Sequence, residues 1–236
     1  MDNVTRLQYL EAMGIDVWIP RLSVPAVSPL HSKLEPAIEN ATRKSELLEV
    51  LQKNWTDLQA EVASCTKCAL CETRTQTVFG TGSKTADWMI IGEAPGQHED
   101  EQGKPFVGKA GLLLTEMLRA VGLDREDVFI TNILKCRPPG NRDPKPEEAE
   151  SCSDYLRQQR ALLKPKIILA VGRIAAQTLL NTDAPLSKLR GKVHQLEGTP
   201  LVVAYHPAYL LRSLLEKRKA WQDLQFAVRT INDSKG

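Results

Sequence analysis

The chain has 236 residues, 42% of them apolar, and a formal net charge of +2. This length supports one sizeable core or one domain with an appendage. No apolar run approaches the roughly 20 residues needed to cross a bilayer, and Met1-Asp2-Asn3-Val4-Thr5-Arg6 does not read as a signal peptide, so a soluble, cytoplasmic monomer without a membrane partner is expected. A near-neutral charge excludes a globally basic surface, and nucleic-acid binding would have to rest on local Lys and Arg clusters.

Residues 5–14 carry Leu7, Leu10 and Met13 at helical spacing, with Gly14 as a stop and Ile15, Trp18 and Ile19 beyond it. From Pro20 to about Ala41 the chain holds Pro20, Pro25, Pro29 and Pro36 and no sustained periodicity, the signature of a linker. The expected organisation is a peptide at 1–21, a flexible linker at 22–43 and a main domain at 44–232. A helix as short as 5–14 is marginal alone in water, so its apolar face, with Tyr9 and Trp18, either awaits a partner or packs back on the domain.

From Ser45 to Val62, the residues Leu47, Leu51, Leu58 and Val62, with Trp55 between, predict an amphipathic helix. Beyond it apolar runs alternate with helical patterns. The predicted strands are Trp88–Ile91, Val128–Thr131, Ile167–Val171 and Leu201–Tyr205, and the predicted helices are about 109–121, 146–163, 173–181 and 214–230. That alternation argues for an α/β fold, a three-layer α/β/α sandwich around a central, mainly parallel four-stranded sheet. Such sheets bind ligands beyond the carboxyl ends of their strands, here Gly92-Glu93, Asn132, Gly172-Arg173 and His206-Pro207.

The stretch from Gly92-Glu93-Ala94-Pro95-Gly96 through Glu99 to Gly103-Lys104-Pro105-Phe106-Val107-Gly108-Lys109-Ala110-Gly111 joins the first strand to a helix. Glycines allow positive φ and close backbone approach, so a ligand is expected there, the alternative being an ordinary strand-to-helix connection. Gly103 to Lys109 matches the spacing of a phosphate loop. Ala110 nevertheless stands where a Ser or Thr hydroxyl should hold magnesium, no strand directly precedes Gly103, and Pro105 with Phe106 would stiffen the cradle. A carboxylate, an amide and an imidazole, Glu93, Asn132 and His206, are instead expected to converge with Phe106 on one sheet edge.

Five cysteines in an intracellular chain point to metal binding or burial rather than disulfides. Cys65, Cys68 and Cys71 form a compact cluster, and Cys136 and Cys152 follow much later. A zinc ribbon normally has two close pairs, and here the second is opened out. Cysteine-only ligation with Pro138 beyond Cys136 suits an iron–sulfur cluster at least as well, and buried free thiols are the third reading.

Together Gly92-Glu93-Ala94-Pro95-Gly96, Pro105-Phe106-Val107-Gly108, Thr131-Asn132-Ile133, Lys135-Cys136-Arg137-Pro138-Pro139 and His206-Pro207-Ala208-Tyr209-Leu210-Leu211-Arg212 resemble the family 4, iron–sulfur uracil-DNA glycosylases over about residues 60–230. The resemblance implies DNA repair by base excision: hydrolysis of the N-glycosidic bond of deoxyuridine in DNA, with a [4Fe–4S] cluster on Cys65, Cys68, Cys136 and Cys152. Cys71 is expected to be a buried thiol. By the same resemblance Glu93 and His206 are catalytic, Glu93 at the attacking water and His206 at uracil O2. Gly92, Ala94, Gly96, Glu99, Phe106, Asn132 and His206 form the substrate site: Phe106 stacks on the flipped base, Asn132 reads its O4 and N3–H edge, and Glu99 crowds C5 to exclude thymine. Arg190, Leu210, Leu211 and Arg212 are expected at the DNA, one of the two leucines as a wedge unless it is a core contact, with Arg137 and Arg142 near phosphates. A DNA-binding module without catalysis is the competing reading, and a nucleotide hydrolase the third. Outside the match, Arg6-x2-Tyr9-Leu10-x2-Met13-Gly14-Ile15-x2-Trp18 resembles the psi-subunit peptide that binds the chi subunit of the bacterial clamp loader. It implies docking through residues 6–19 and recruitment to replication forks.

Overall fold

The structure is a computed structural model, and it describes residues 55–233. All of these belong to one unit, Ser45–Gly236. The expected peptide at 1–21, the linker at 22–43 and the first part of the helix expected from Ser45 lie outside the described residues.

Residues 55–63 form helix α1. The elements that follow are β1 (Thr81–Gly82), β2 (Trp88–Gly92), α2 (Gln97–Gln102), α3 (Lys109–Arg119), β3 (Val128–Asn132), α4 (Pro146–Leu163), β4 (Ile167–Val171), α5 (Arg173–Leu180), α6 (Leu186–Leu189), β5 (His194–Leu196), β6 (Thr199–Ala204), α7 (Pro207–Arg212) and α8 (Lys217–Asp233). The sheet runs β1-β3-β2-β4-β6-β5. It has six strands where four were expected. The predicted four form the parallel centre, and β1 and β5 add antiparallel edges of two and three residues.

β2, β3 and β4 are buried along their whole length, which is why they read as unbroken apolar runs. Their side chains alternate between two cores. Met89, Ile91, Phe129, Ile168 and Ala170 pack with α1, α4 and α5 through Trp55, Leu58, Tyr155, Leu156 and Ala175. Ile90, Val128, Ile130, Leu169 and Val202 pack on the other face with α3 and α8 through Leu114, Leu118, Leu224 and Ile231. Helices on both faces make the three layers. At about 1.5–3 kcal/mol for each fully buried large apolar side chain, these two cores dominate the stability.

Helix ends follow local chemistry. Pro146 opens α4, the Lys145 N–H donates to Glu148 Oε2 at 2.9 Å, and Lys164 closes the helix in the left-handed region with φ 51°. The last helix begins at Lys217 because Leu214–Glu216 form a separate 3-10 turn. No helix among the described residues is long and apolar enough to cross a membrane. In the sheet, β2 lies between β3 and β4, so the chain passes from β2 to β3 on one side and then from β3 across to β4 on the other. The crevice opens there, at the carboxyl ends.

Candidate active site

The connection from β2 to α3 is a built loop. Gly103 ends α2 in the left-handed region with φ 68°, and Asp100 anchors α2 by accepting the Thr75 N–H at 3.0 and 3.1 Å. Glu99 Oε1 accepts the N–H groups of Val107 at 2.9 Å and Gly108 at 3.1 Å, fastening α2 to the start of α3. Between these ties Phe106 holds φ 54°, a conformation that costs a residue with a Cβ about 1–2 kcal/mol. It persists because its surroundings over-determine it. A Cβ on Gly111 would lie 1.8 Å from the Phe106 carbonyl oxygen, and one on Gly92 would lie 2.6 Å from the Phe106 ring and 2.4 Å from Asn132 Oδ1. At both positions glycine makes room for Phe106, where the sequence suggested room for a ligand.

The loop and the strand ends enclose a cleft of about 490 Å³ that brings together Glu93, Phe106, Asn132, His206 and Arg212. Ala94, Gly96 and Glu99 also line it. Gly92 lies just beneath, against Phe106 and Asn132. The Phe106 and His206 rings are 5.7 Å apart at 32°. Asn132 is 2% exposed, and its Oδ1 has no hydrogen-bond partner among the described residues. A buried acceptor left unpaired costs about 1–3 kcal/mol. Asn132 lines the cleft, with this oxygen on the side of Gly92.

The His206 side chain accepts the Ala208 N–H at Nδ1, 3.1 Å away, so the neutral ring carries its proton on Nε2. Burial, with help from the Arg212 charge and against Glu99, lowers its pKa to about 4. His206 is therefore a neutral donor at physiological pH. Burial also raises Glu93 to about 7, with the Asp143 charge adding and Arg173 opposing. A neutral imidazole donor and a carboxylate poised near neutrality thus face one cleft.

Lys135, which carried no role in the sequence, supports Asn132 from below. It is 1% exposed, and Nζ donates to Asn132 O at 2.8 Å, Thr131 Oγ1 at 2.7 Å and Gln159 Oε1 at 2.8 Å. Gln159 in turn donates to Phe79 O at 2.8 Å. Burial lowers the Lys135 pKa to about 7. Nothing in the sequence distinguishes this lysine from a surface one, because its acceptors come from a strand and from a helix 24 residues away.

The expected DNA contacts divide. Arg212 lines the cleft, and Leu211 is 42% exposed. Leu210 is 1% exposed and packs in the second core, the core alternative. Arg190 is not free: Nε and Nη2 grip Asp223 at 2.6 and 2.8 Å, Nη2 also donates to Lys219 O, and the guanidinium lies 4.3 Å from the Tyr205 ring centre. Arg142 forks onto Glu148 while lining the cleft, and Arg137 bonds Asn141 at 2.7 Å. Tyr209 lines the cleft as well, although its motif singled it out for nothing.

Cys65, Cys68, Cys136 and Cys152 line one small cavity beside α1 and α4, together with Arg74, Lys135 and Tyr155. None of the five cysteines is in a disulfide, and Cys71, expected to be buried, is half-buried and outside that cavity. Arg74 donates to Cys136 Sγ at 3.1 Å and to Cys65 O at 2.7 Å. Burial raises the Cys136 thiol to about 11 and raises Cys152 too. No three Cys, His, Asp or Glu side chains among the described residues could hold a single metal ion. A polynuclear cluster instead takes its thiolates on separate irons, and the four-sulfur donor set with cations beside it fits that chemistry.

The family model described as Uracil DNA glycosylase superfamily matches residues 79–225. The chain is 48% identical over 163 residues to a type-4 uracil-DNA glycosylase of Archaeoglobus fulgidus, covering 66% of this chain and 82% of the relative. It is 40% identical over 172 residues to the Thermotoga maritima type-4 enzyme, covering 72% and 86%. To the Pyrobaculum aerophilum type-4 enzyme it is 45% identical over 171 residues, covering 69% and 87%.

Proposed function

Since the chain belongs to the uracil DNA glycosylase superfamily, and within it to the type-4 uracil-DNA glycosylases, we infer that it hydrolyses the bond joining uracil to deoxyribose in DNA. The products are free uracil and an abasic site, the first step of base-excision repair. The observation that carries this reading is the unpaired Asn132 Oδ1 in a cleft shared with Phe106 and His206. Flipping a nucleotide out of the stack costs a few kcal/mol, and a pocket that holds one base repays it. Phe106 stacks on uracil. Asn132 accepts N3–H through Oδ1 and donates to O4 through its amide nitrogen. Cytosine offers the reversed edge and would leave both groups unpaired.

As the C1′–N1 bond breaks, its electron pair moves onto the uracil ring and charge develops on O2, where the His206 Nε2–H donates. Water forms the new bond to C1′ and gives its proton to the Glu93 carboxylate, whose charge also favours the cationic sugar. Glu99 holds the Phe106 turn and stands beside C5, where thymine would carry its methyl. Arg212 meets a phosphate and Leu211 fills the gap left by the extruded base. Incubation with a uracil-containing oligonucleotide followed by alkali tests the reading: strand breakage at uracil is expected, and an intact strand would overturn it.

Cys65, Cys68, Cys136 and Cys152 would hold the [4Fe–4S] cluster. Hydrolysis transfers no electrons, and the cluster, when bound, would supply a cross-link between the segment after α1, the loop after β3 and α4, which carry these cysteines. Residues 6–19 serve as a recruitment peptide for the chi subunit; pull-down with purified chi tests this, and equal retention of a chain lacking residues 1–21 would refute it. The enzyme works as a cytoplasmic monomer.

A further inference from the structure

A second chamber adjoins the uracil cleft and shares Glu93, His206 and Tyr209 with it. Its own walls are Ile174 and Leu186, Tyr205, and the pair Arg173 and Asp143, whose Nη2–Oδ2 distance is 3.0 Å. Tyr205 and Tyr209 stack there, with ring centres 5.2 Å apart at 19°. The Tyr205 ring is backed by Arg190, and Arg190 is locked by Asp223, itself 3% exposed. Tyr209, at the outer end of this column, is 39% exposed.

Uracil excision alone does not require this construction. From it we infer that the chamber is a subsite for the nucleobase flanking the deoxyuridine on the same strand, which stacks on Tyr209. The inference rests on the uracil-excision reading above. A strand whose uridine occupies one cleft must carry its next nucleotide past the residues the two cavities share. Glu93 and Asp143 repel a phosphate, and Arg173 is already paired, so a neutral flat group is the occupant these walls accept. Stacking on an aromatic ring is tolerant of base identity because every base has a π-face, so the subsite adds affinity for the strand without adding sequence preference. The Arg190 ion pair, expected from the sequence to meet phosphate, then acts as the support of a stacking platform.

The test is a coupling experiment on single-stranded oligonucleotides with one uracil, in which the immediate 5′ or 3′ neighbour is replaced by an abasic residue. For the unaltered enzyme, one of the two replacements is expected to raise KM roughly tenfold, within the range for base–aromatic stacking. Tyr209→Ala should raise KM to a similar extent on the intact oligonucleotide and show no further loss on the abasic one. Tyr209→Phe, which keeps the ring, should restore KM and the coupling, separating stacking from a loss of fold. Losses that multiply, or no effect at either neighbour while uracil is still released, would overturn the subsite alone. No release from the unmodified oligonucleotide would overturn the parent reading, and the subsite with it.

Discussion

Replacing Asn132 by Leu should make the protein more stable and nearly inactive. Leu has nearly the shape of Asn but no polar atoms. In the free protein Oδ1 is buried without a partner, a state that costs about 1–3 kcal/mol. Removing that cost without opening a cavity should stabilise the fold by about 1 kcal/mol, or about 2–4 °C in Tm for a domain of this size. Catalysis moves the other way. Uracil O4 and N3–H would both enter the cleft unpaired, at about 1–3 kcal/mol each. Taking about 4 kcal/mol for the pair, kcat/KM falls about 10³-fold. Thermal unfolding and single-turnover uracil release measure the two effects on the same preparation. A lower Tm, or activity within tenfold of the original, would refute the argument that Asn132 is held unsatisfied for the substrate.

Glu93→Gln should lower activity and flatten its rise with pH through about 7, since the water-activating form is the carboxylate. The folded pKa lies above the unfolded value, so Glu93 contributes stability below about 4.5 that is lost as pH rises to about 7. Because Glu93 is partly solvated, the Gln variant should gain about 1–2 kcal/mol over the parent at pH 8 and much less at pH 4.5, as urea titrations at both values would reveal. His206→Ala should cost about 10²–10³ in kcat with little change in oligonucleotide affinity, and His206 should add no pH dependence between 5 and 8 because its ring stays neutral there. Gly92→Ala drives a methyl into Asn132 and Phe106, so it should impair uracil release far more than it lowers Tm. Cys136→Ser should reduce bound iron, measured by metal analysis, and lower Tm, whereas Cys71→Ser should leave iron content unchanged.

The four central strands were legible because burial on both faces leaves an unbroken apolar run, as in Trp88-Met89-Ile90-Ile91. Residues at the ends of such strands inherit their position, which is why Glu93, Asn132 and His206 could be expected in one place. The unpredicted elements are those that tertiary contacts create. β1 is two residues long, and six-residue α2 is anchored through Asp100 to Thr75. Side-chain partners that are distant in sequence stay hidden for the same reason. Arg190 looked like a phosphate contact because its partner Asp223 lies 33 residues on, and Leu210 and Leu211 differ only in which side of α7 they occupy. The glycines of the loop were noticed for their flexibility, while Gly92 is fixed by the Phe106 ring and Asn132, and Gly111 by the Phe106 backbone.

The most direct test of the central claim is base release from three oligonucleotides that differ at one position, carrying uracil, thymine or cytosine, with free bases quantified after a single turnover by enzyme containing iron. Uracil alone should be released, at a rate that falls about 10³-fold in Asn132→Leu. Release of no base, or of cytosine and thymine at rates comparable with uracil, would contradict the account.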